Sequence, residues 1–376
     1  MSTVDPPEFA DDAPVQAWPS GMGRFMAKSG RVLDVLQRFI RLPAFGFTAM
    51  LPLLGAASVT PHIAAGKVLG LLGVALAFHC YSYVLNDVID LPLDRTQSLR
   101  AESPLVRGVI RPGQALAFAL FQPSVALLIT AGLGGEARTY AALSAGFALM
   151  TLYNLWGKRA SLPPVTDVIQ GAAWGALVFY GAGMQAGSMP GLTINLFAFV
   201  VVYIVLINGV HGSLRDLSND LAWGMRSTAI LLGARPRSGG RVAIPGRLRL
   251  YAWTLQGLCI GLLFAPLFQN ALGHGPVAWA GTFIALLLLS ARCLRLATII
   301  LSPNSSHADL ARALGAYLFA SLSSLVALYA LYLEPGMLVA LLAACVAPLL
   351  PKPIRQAAAW RDRPLHQPQQ RNQTGK

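Results

Sequence analysis

Two clusters of oxygen-bearing side chains each follow a long apolar segment of this 376-residue chain. The clusters comprise Asn86, Asp87, Asp90 and Asp94 in the first, and Asp216 and Asp220 in the second. Carboxylates are costly to place at membrane depth, and they mark functional sites there. Carboxylate and amide oxygens suit Mg²⁺, which completes its coordination shell with water and phosphate oxygens. These residues therefore indicate a site that holds Mg²⁺ and a diphosphate at a lipid interface.

The polar residues leading into the first cluster fall on one face of a helix. Their spacings of 4, 3 and 4 residues keep them within about 60° of one another at 3.6 residues per turn. The stripe comprises His79, Tyr83, Asn86 and Asp90. Pro92 cannot continue the helical hydrogen bonding, so we expect a kink or an end there, with Asp94 entering the site from a turn. For His79 and Tyr83 alone, interhelical hydrogen bonding is the alternative to a substrate-binding role.

In the second cluster, Asp216 and Asp220 lie one helical turn apart, and we predict Gly209 and Gly212 on the same face. The glycines remove side-chain bulk beside the acids. Two interpretations stay open: close packing of helices through small residues, or a space that admits substrate.

Basic residues near the two clusters could neutralise phosphate oxygens that a metal ion leaves free. Most bases at the cytoplasmic ends of membrane helices serve topology instead, so each candidate carries this second interpretation. The candidates are Arg38, Arg41, Arg95, Arg100, Arg107, Lys158, Arg159, Arg215 and Arg226.

The elements that position these residues are apolar helices. Hydrophobic residues make up 55% of the chain and charged residues 12%, whereas a soluble domain carries about 25% charged residues. Nine apolar runs are long enough to span a bilayer: 33–59, 67–88, 113–133, 138–156, 164–188, 191–214, 248–270, 276–301 and 310–333. A shorter run at 337–350 could span, re-enter or lie at the interface. We predict an all-α integral membrane protein, a bundle of about nine transmembrane helices with a possible short tenth.

The net charge of +13 is distributed as in a membrane protein rather than a nucleic-acid-binding one. With the N-terminus in the cytoplasm and every run crossing, Lys67 and Arg138 are the only two of the 29 Lys and Arg residues on the far side. This asymmetry follows the positive-inside rule. It places both acidic clusters at the cytoplasmic face, favours an even number of crossings, and predicts a multi-pass protein of the cell membrane with no nucleic-acid partner.

The two ends of the chain differ from its apolar middle. Residues 1–30 and 351–376 are polar and are predicted to be disordered tails, without a cleavable signal peptide. A single membrane domain is predicted at 31–350. The four cysteines lack the spacing of a disulfide framework or a zinc site, so we interpret them as buried thiols.

Taken together, the motifs resemble those of the UbiA family of intramembrane prenyltransferases. The pattern NDxxDxxxD follows the second span and DxxxDxxxGxxST follows the sixth, from Asp216 to Thr228. A Tyr153…Lys158-Arg159 segment follows the fourth span. The resemblance covers roughly residues 30–333, and its specificity rests on having both acidic motifs in the right spans.

The resemblance implies a helical bundle around a central apolar cavity that opens to the cytoplasmic side, and Mg²⁺-dependent ionisation of an isoprenyl diphosphate. It assigns the metal and catalytic roles to Asn86, Asp90, Asp94, Asp216 and Asp220. It assigns diphosphate binding to Lys158 and to Arg38 or Arg41, with Arg100 or Arg107 as substitutes for an arginine that is replaced here by Ser103. We assign the acceptor pocket to His79, Tyr83, Tyr153 and Gly212.

Departures from the family pattern bear on the acceptor. Members that act on 4-hydroxybenzoate often carry tyrosines where this chain has Asn208 and Gly212. Three hypotheses follow: an aromatic or quinone-precursor prenyltransferase, an enzyme of the same fold that uses a non-aromatic acceptor or cyclises the isoprenoid, and a non-enzymatic carrier. The partners expected in the first case are an isoprenyl diphosphate, a lipophilic or aromatic acceptor and membrane lipid.

Overall fold

The computed structural model describes residues 32, 34–97, 100–185, 189–303 and 305–346. The predicted tails at 1–30 and 351–376 lie outside the described residues, as does the end of the run at 337–350. Within the described ranges the chain is mostly helical, which confirms the predicted helical class.

The helices of the first half lead to the two motif regions. Residues 34–39 are helical and Leu42–Ala44 form a 3₁₀ turn. The following helices are α1 (Phe45–Ala57), α2 (Ala65–Ile89), the short α3 (Leu91–Asp94), α4 (Pro112–Gly132), α5 (Ala137–Trp156), α6 (Pro163–Gly183) and α7 (Gly191–Leu206). A 3₁₀ turn, Gly157–Arg159, follows α5, and a π-helical segment, Ile207–Gly212, follows α7.

The second half contains the second acidic motif and the remaining helices. These are α8 (Ser213–Ala222), α9 (Thr228–Leu231), α10 (Gly246–Phe268), α11 (Pro276–Ile300), α12 (His307–Tyr329) and α13 (Pro335–Val346). An antiparallel hairpin of β1 (Arg235–Arg237) and β2 (Arg241–Ala243) stands between α9 and α10, with Pro236 opposite Val242. The prediction did not include this hairpin, because its exposed, arginine-rich residues carry no apolar alternation.

Six helical segments among the described residues have the length and hydropathy to cross a membrane, so the chain is a multi-pass membrane protein. They are Ala65–Ile89, Pro112–Gly132, Gly191–Ala222, Gly246–Phe268, Pro276–Ile300 and Ala308–Tyr329. Helices α5 and α6 have 20 and 21 residues, whereas α1 has 13. The count of nine spans and the orientation of a central cavity stay predictions.

Helix α6 lies at the centre of the first half, where it packs against α1, α5 and α7. Small residues permit the approach to α1: a Cβ atom on Gly181 would overlap the backbone of Pro52, and one on Gly55 would overlap that of Val178. Aromatic rings fill the neighbouring layer, with Trp174 of α6 in edge contact with Phe47 and Phe78 at 5.7 and 5.4 Å between ring centroids. Backbone contact of this kind fixes the position of α6 relative to α1.

We expect Gly181→Ala to lower the melting temperature of the detergent-solubilised protein. The added methyl group would meet backbone rather than a movable side chain, and such overpacking costs about 1–3 kcal/mol. Gly257→Ala is the matched control, because Gly257 is an exposed glycine in α10 with open space at its Cβ position. A gain in helix propensity should leave the control unchanged or slightly more stable. Equal melting temperatures for the two variants would contradict the close α1–α6 contact.

Candidate active site

The first acidic motif sits where helix α2 ends. The helix stops at Ile89, Asp90 caps it with φ −86° and ψ 3°, and Pro92 starts the short helix α3 that carries Asp94. The predicted break at Pro92 is therefore confirmed, although Asp94 lies in a helical turn of its own. Asn86 Nδ2 donates a hydrogen bond to Asp90 Oδ2 at 3.2 Å, so the spacing predicted along one helix face brings these two side chains together.

A lysine from a different helix joins this motif. Lys158, in the 3₁₀ turn after α5, forms an ion pair with Asp90 at 2.7 Å between Nζ and Oδ2. On the other side of the motif, Arg100 lies 3.7 Å from Asp94, which is 4% exposed. Burial raises the pKa of Asp94 to about 6, and the positive charge of Arg100 opposes that shift. Both bases thus compensate carboxylates that the fold removes from water.

The second motif follows a π-helical segment, Ile207–Gly212, whose wider turn separates α7 from α8. π-Helical segments are rare in proteins, and many of those that occur lie at functional sites. In α8, Asp216 pairs with Arg215 at 2.7 Å between Oδ2 and Nη2. Asp220 is 6% exposed, and its Oδ1 atom is buried without a hydrogen-bond partner. A buried, unpartnered carboxylate oxygen is costly, and its presence calls for an explanation.

The two motifs meet in space. The side chains of Asp90, Asp216 and Lys158 all lie within electrostatic range of the Asp220 carboxylate. A hydrogen bond of 3.3 Å from Thr96 to Asn219 also joins the segment after the first motif to the helix of the second. Among the described residues, no three His, Cys, Asp or Glu side chains are arranged to hold a metal ion; the acids pair with bases instead.

The predicted arginines divide into two groups. Arg41 is ion-paired with the buried Asp87 and lies 5.2 Å from the centroid of the Tyr83 ring, and it is within electrostatic range of Asp94. Arg38 and Arg107 are paired with acids at the surface: Arg38 with Asp34 at 3.1 Å, and both with Glu102. Arg41 and Arg100 are therefore the arginines that the fold brings to the first motif.

The predicted acceptor residues have different surroundings. His79 is fully buried, and its two ring nitrogens lie 2.8 Å from Thr48 Oγ1 and from the Ile40 carbonyl oxygen, which is the interhelical bonding expected under the alternative interpretation. Tyr83 packs against the His79 ring at 4.6 Å. Tyr153 lies within electrostatic range of Asp90 and Asp220. The role of these side chains in binding an acceptor stays a prediction.

The two glycines before the second motif lie in the π-helical segment, not in the straight α-helix that the spacing predicts. A Cβ atom on Gly209 would overlap the Asp167 carboxylate, whereas one on Gly212 would meet only the Ile207 carbonyl oxygen of the same turn. The π turn has more residues per turn than an α-helix, so the two glycines do not share one environment. A Cβ atom on Gly212 would be only 3.2 Å from the Ile207 carbonyl oxygen, whereas Gly209 packs against the side chain of another helix.

Prediction from the sequence missed the pairing of one buried acid, Asp87, and missed a second acid, Asp167, altogether. Asp87 was seen in the motif, but its pairing with Arg41 was not. Asp167, in α6, is 7% exposed and accepts a hydrogen bond from the Thr228 hydroxyl group. An acid inside an apolar run is the signal that could have identified Asp167.

The family of the chain follows from comparison with known proteins. The model of the UbiA prenyltransferase family matches residues 44–299. The chain belongs to the UbiA prenyltransferase family. The matched segment includes both acidic motifs, Lys158 and Asp167.

Several curated UbiA relatives resemble the chain over about half its length. A 4-hydroxybenzoate octaprenyltransferase of Azotobacter vinelandii is 30% identical over 206 residues, which cover 54% of this chain and 62% of the relative. A protoheme IX farnesyltransferase of Cereibacter sphaeroides is 26% identical, over 56% of this chain and 73% of the relative. A digeranylgeranylglyceryl phosphate synthase of Thermococcus gammatolerans is 27% identical, over 48% and 63%.

Solved UbiA structures share the fold. A UbiA homologue from Aeropyrum pernix superposes with a TM-score of 0.56 at 16% identity, over 76% of this chain and 97% of that one. A homologue from Archaeoglobus fulgidus bound to GPP and Mg²⁺ gives a TM-score of 0.52 at 15% identity, over 78% and 99%.

Arg41 should stabilise the fold through Asp87. We expect Arg41→Gln to reduce stability by about 3–5 kcal/mol, because it leaves a buried carboxylate without its cation. Adding Asp87→Asn should restore much of the lost melting temperature by removing that charge. Arg107→Gln is the control: its side chain is 58% exposed, and its loss should change the melting temperature little. Failure of the double variant to recover would count against this pairing.

Proposed function

We propose that the protein transfers an isoprenyl group from an isoprenyl diphosphate to an aromatic or quinone-precursor acceptor within the membrane, with release of diphosphate. One observation carries the proposal. Two acidic motifs from separate helices meet around Asp220, whose buried Oδ1 lacks a partner, and Lys158 stands between the two motifs. Family membership supports the same chemistry.

The side chains present suit Mg²⁺. Asn86, Asp90 and Asp94 from the first motif, with Asp216 and Asp220 from the second, offer the hard oxygen donors that this ion takes. The unpartnered Asp220 Oδ1 is a donor atom already free to bind. Bound Mg²⁺ would neutralise negative charge on the diphosphate and so make it a better leaving group.

The chain's own groups supply the rest of the reaction. The bond between C1 of the isoprenyl group and the diphosphate oxygen breaks, and its electron pair leaves with the diphosphate. Lys158 and Arg100 can exchange their carboxylate partners, Asp90 and Asp94, for phosphate oxygens, which form strong charge-assisted hydrogen bonds. The acceptor then forms a bond to C1 and loses a proton. The aromatic layer of Tyr83, Phe47 and Trp174 excludes water from a cationic centre.

The proposed class of acceptor is based on the named relatives and on two positions at which this chain lacks the tyrosines of related enzymes. Relatives named for transfer to 4-hydroxybenzoate support an aromatic acceptor. Asn208 and Gly212 stand where such enzymes often carry tyrosines, and Asn208 Nδ2 donates a hydrogen bond of 2.6 Å to Gln170 Oε1 instead. This polar pair favours an acceptor other than 4-hydroxybenzoate itself.

A non-aromatic acceptor is the second candidate. Relatives named as a protoheme IX farnesyltransferase and a digeranylgeranylglyceryl phosphate synthase match comparable shares of the chain. Acceptor-dependent product formation separates these transfers from cyclisation of the isoprenoid, which needs no acceptor. We place the protein in the cell membrane, with both motifs at the cytoplasmic face and residues 31–350 as one membrane domain, because of its charge distribution.

The decisive experiment is diphosphate release from reconstituted protein. Geranyl, farnesyl and geranylgeranyl diphosphate are supplied with and without a panel of phenols and quinone precursors, and products are identified by mass spectrometry. EDTA should abolish release and added Mg²⁺ should restore it. Asp90→Ala and Asp216→Ala should each lower turnover by about 10²-fold or more, and the double variant should be little worse, because the acids act on one diphosphate. Wild-type turnover without divalent metal would refute the mechanism.

Gly212→Tyr tests the acceptor pocket. A Cβ atom at Gly212 would meet only the Ile207 carbonyl oxygen, at 3.2 Å, so the ring should enter the pocket after a small local shift of that turn. We expect a KM for the acceptor raised about tenfold or more, with unchanged Mg²⁺-dependent donor binding and melting temperature. A lower melting temperature with weakened binding of both substrates would instead assign Gly212 to helix packing.

A further inference from the structure

Asp167 is a buried carboxyl group in the interior of the bundle. It is 7% exposed, and no ion pair in the described part of the chain includes it. A buried carboxylate without a cation is costly. Its hydrogen bond comes from the Thr228 hydroxyl group, itself fully buried. An apolar residue would pack here without that cost, which points to a task for the carboxylate.

The contacts of Asp167 lie on both sides of the second acidic motif. Gly209, in the π-helical segment before α8, places its Cα directly against the carboxylate. Thr228, at the start of α9 after α8, donates the hydrogen bond. The segments before and after helix α8, which carries Asp216 and Asp220, therefore both contact one side chain of α6.

The segment between α8 and α9 extends this connection to Lys158. The Met225 amide donates to the Asp220 carbonyl oxygen at 2.8 Å, and the Arg226 amide donates to the Lys158 carbonyl oxygen at 3.2 Å. Thr228 lies two residues after Arg226, so its hydrogen bond to Asp167 also restrains the backbone that links Asp220 to Lys158. The same loop thus couples an acid of the second motif to the base that pairs with the first.

We propose that Asp167 is a positioning residue that fixes helix α8, and with it Asp216 and Asp220, in the geometry that binds the isoprenyl diphosphate. This inference rests on the proposed function, since it assumes that the two acids take part in donor binding. Asp167 itself acts through Thr228 and the backbone at Gly209.

The test measures Mg²⁺-dependent binding of geranyl S-thiolodiphosphate, an unreactive donor analogue, to the full chain in nanodiscs. Asp167→Ala and Thr228→Val should each weaken binding at least tenfold. Asp167→Asn and Thr228→Ser should bind within about threefold of wild type, because an amide oxygen can still accept the bond and a serine hydroxyl can still donate it. The double variant Asp167→Ala/Thr228→Val should bind no more weakly than Asp167→Ala alone.

Thr193→Val separates positioning from general stability. Thr193 makes a buried interhelical hydrogen bond of 2.6 Å with Ser58, at the opposite end of α7 from the motif. Its loss should lower the melting temperature about as much as Thr228→Val and leave donor affinity unchanged. Valine is close in shape to threonine, so Thr228→Val should fold. It can therefore test the proposal even if Asp167→Ala does not fold.

Three results are distinguishable. No Mg²⁺-dependent binding by wild type would refute the proposed function itself. Wild-type binding combined with equal affinity in Thr228→Val would overturn the positioning role. Loss of affinity in Asp167→Asn with wild-type affinity in Thr228→Val would overturn it too, since the charge rather than the contact would then be required.

Discussion

The cost of burying carboxylates beside apolar helices governs the arrangement of this site. Each acid of the first motif that leaves water acquires a cation: Asp87 has Arg41, Asp90 has Lys158 and Asp94 has Arg100. These bases come from different parts of the chain, so the fold must bring those segments together before the acids can be buried. The same electrostatic requirement draws α2, α3 and the turn after α5 to one point.

This compensation also prepares the site for a substrate. Acids and bases that pair with each other in the described structure could instead bind ligand: the acids would bind a metal ion, and the bases would bind a diphosphate. At Asp90 and Asp94, binding then exchanges ion pairs within the protein for ion pairs with ligand, without leaving a buried charge unpaired. Asp220 is the exception, because its Oδ1 atom has no partner. Affinity for a cation is expected to be concentrated there.

The backbone provides the second constraint. Glycines at Gly55 and Gly181 let α6 approach α1 until their backbones touch, and this fixes the helix that carries Asp167. From α6, contacts at Gly209 and Thr228 extend to the second motif. The position of α8 therefore depends on the close packing of α6 against α1. An enzyme that binds a highly charged substrate at an apolar boundary needs its charged groups held in fixed positions. Little water is present there to screen a misplaced charge.

The helical membrane class and membership of the prenyltransferase family could be predicted from the residues alone. Apolar runs specified membrane helices, the spacing of Asn86 and Asp90 placed their side chains in contact, and Pro92 ended the helix where expected, because these features depend on local backbone geometry. The sequence did not determine which base meets which acid, the burial of His79 between Thr48 and Ile40, or the π turn that separates the environments of Gly209 and Gly212. Nor did it show that Asp167 contacts the segments on both sides of α8. Those outcomes depend on which helices pack together, and only tertiary structure sets the distances between residues far apart in the chain.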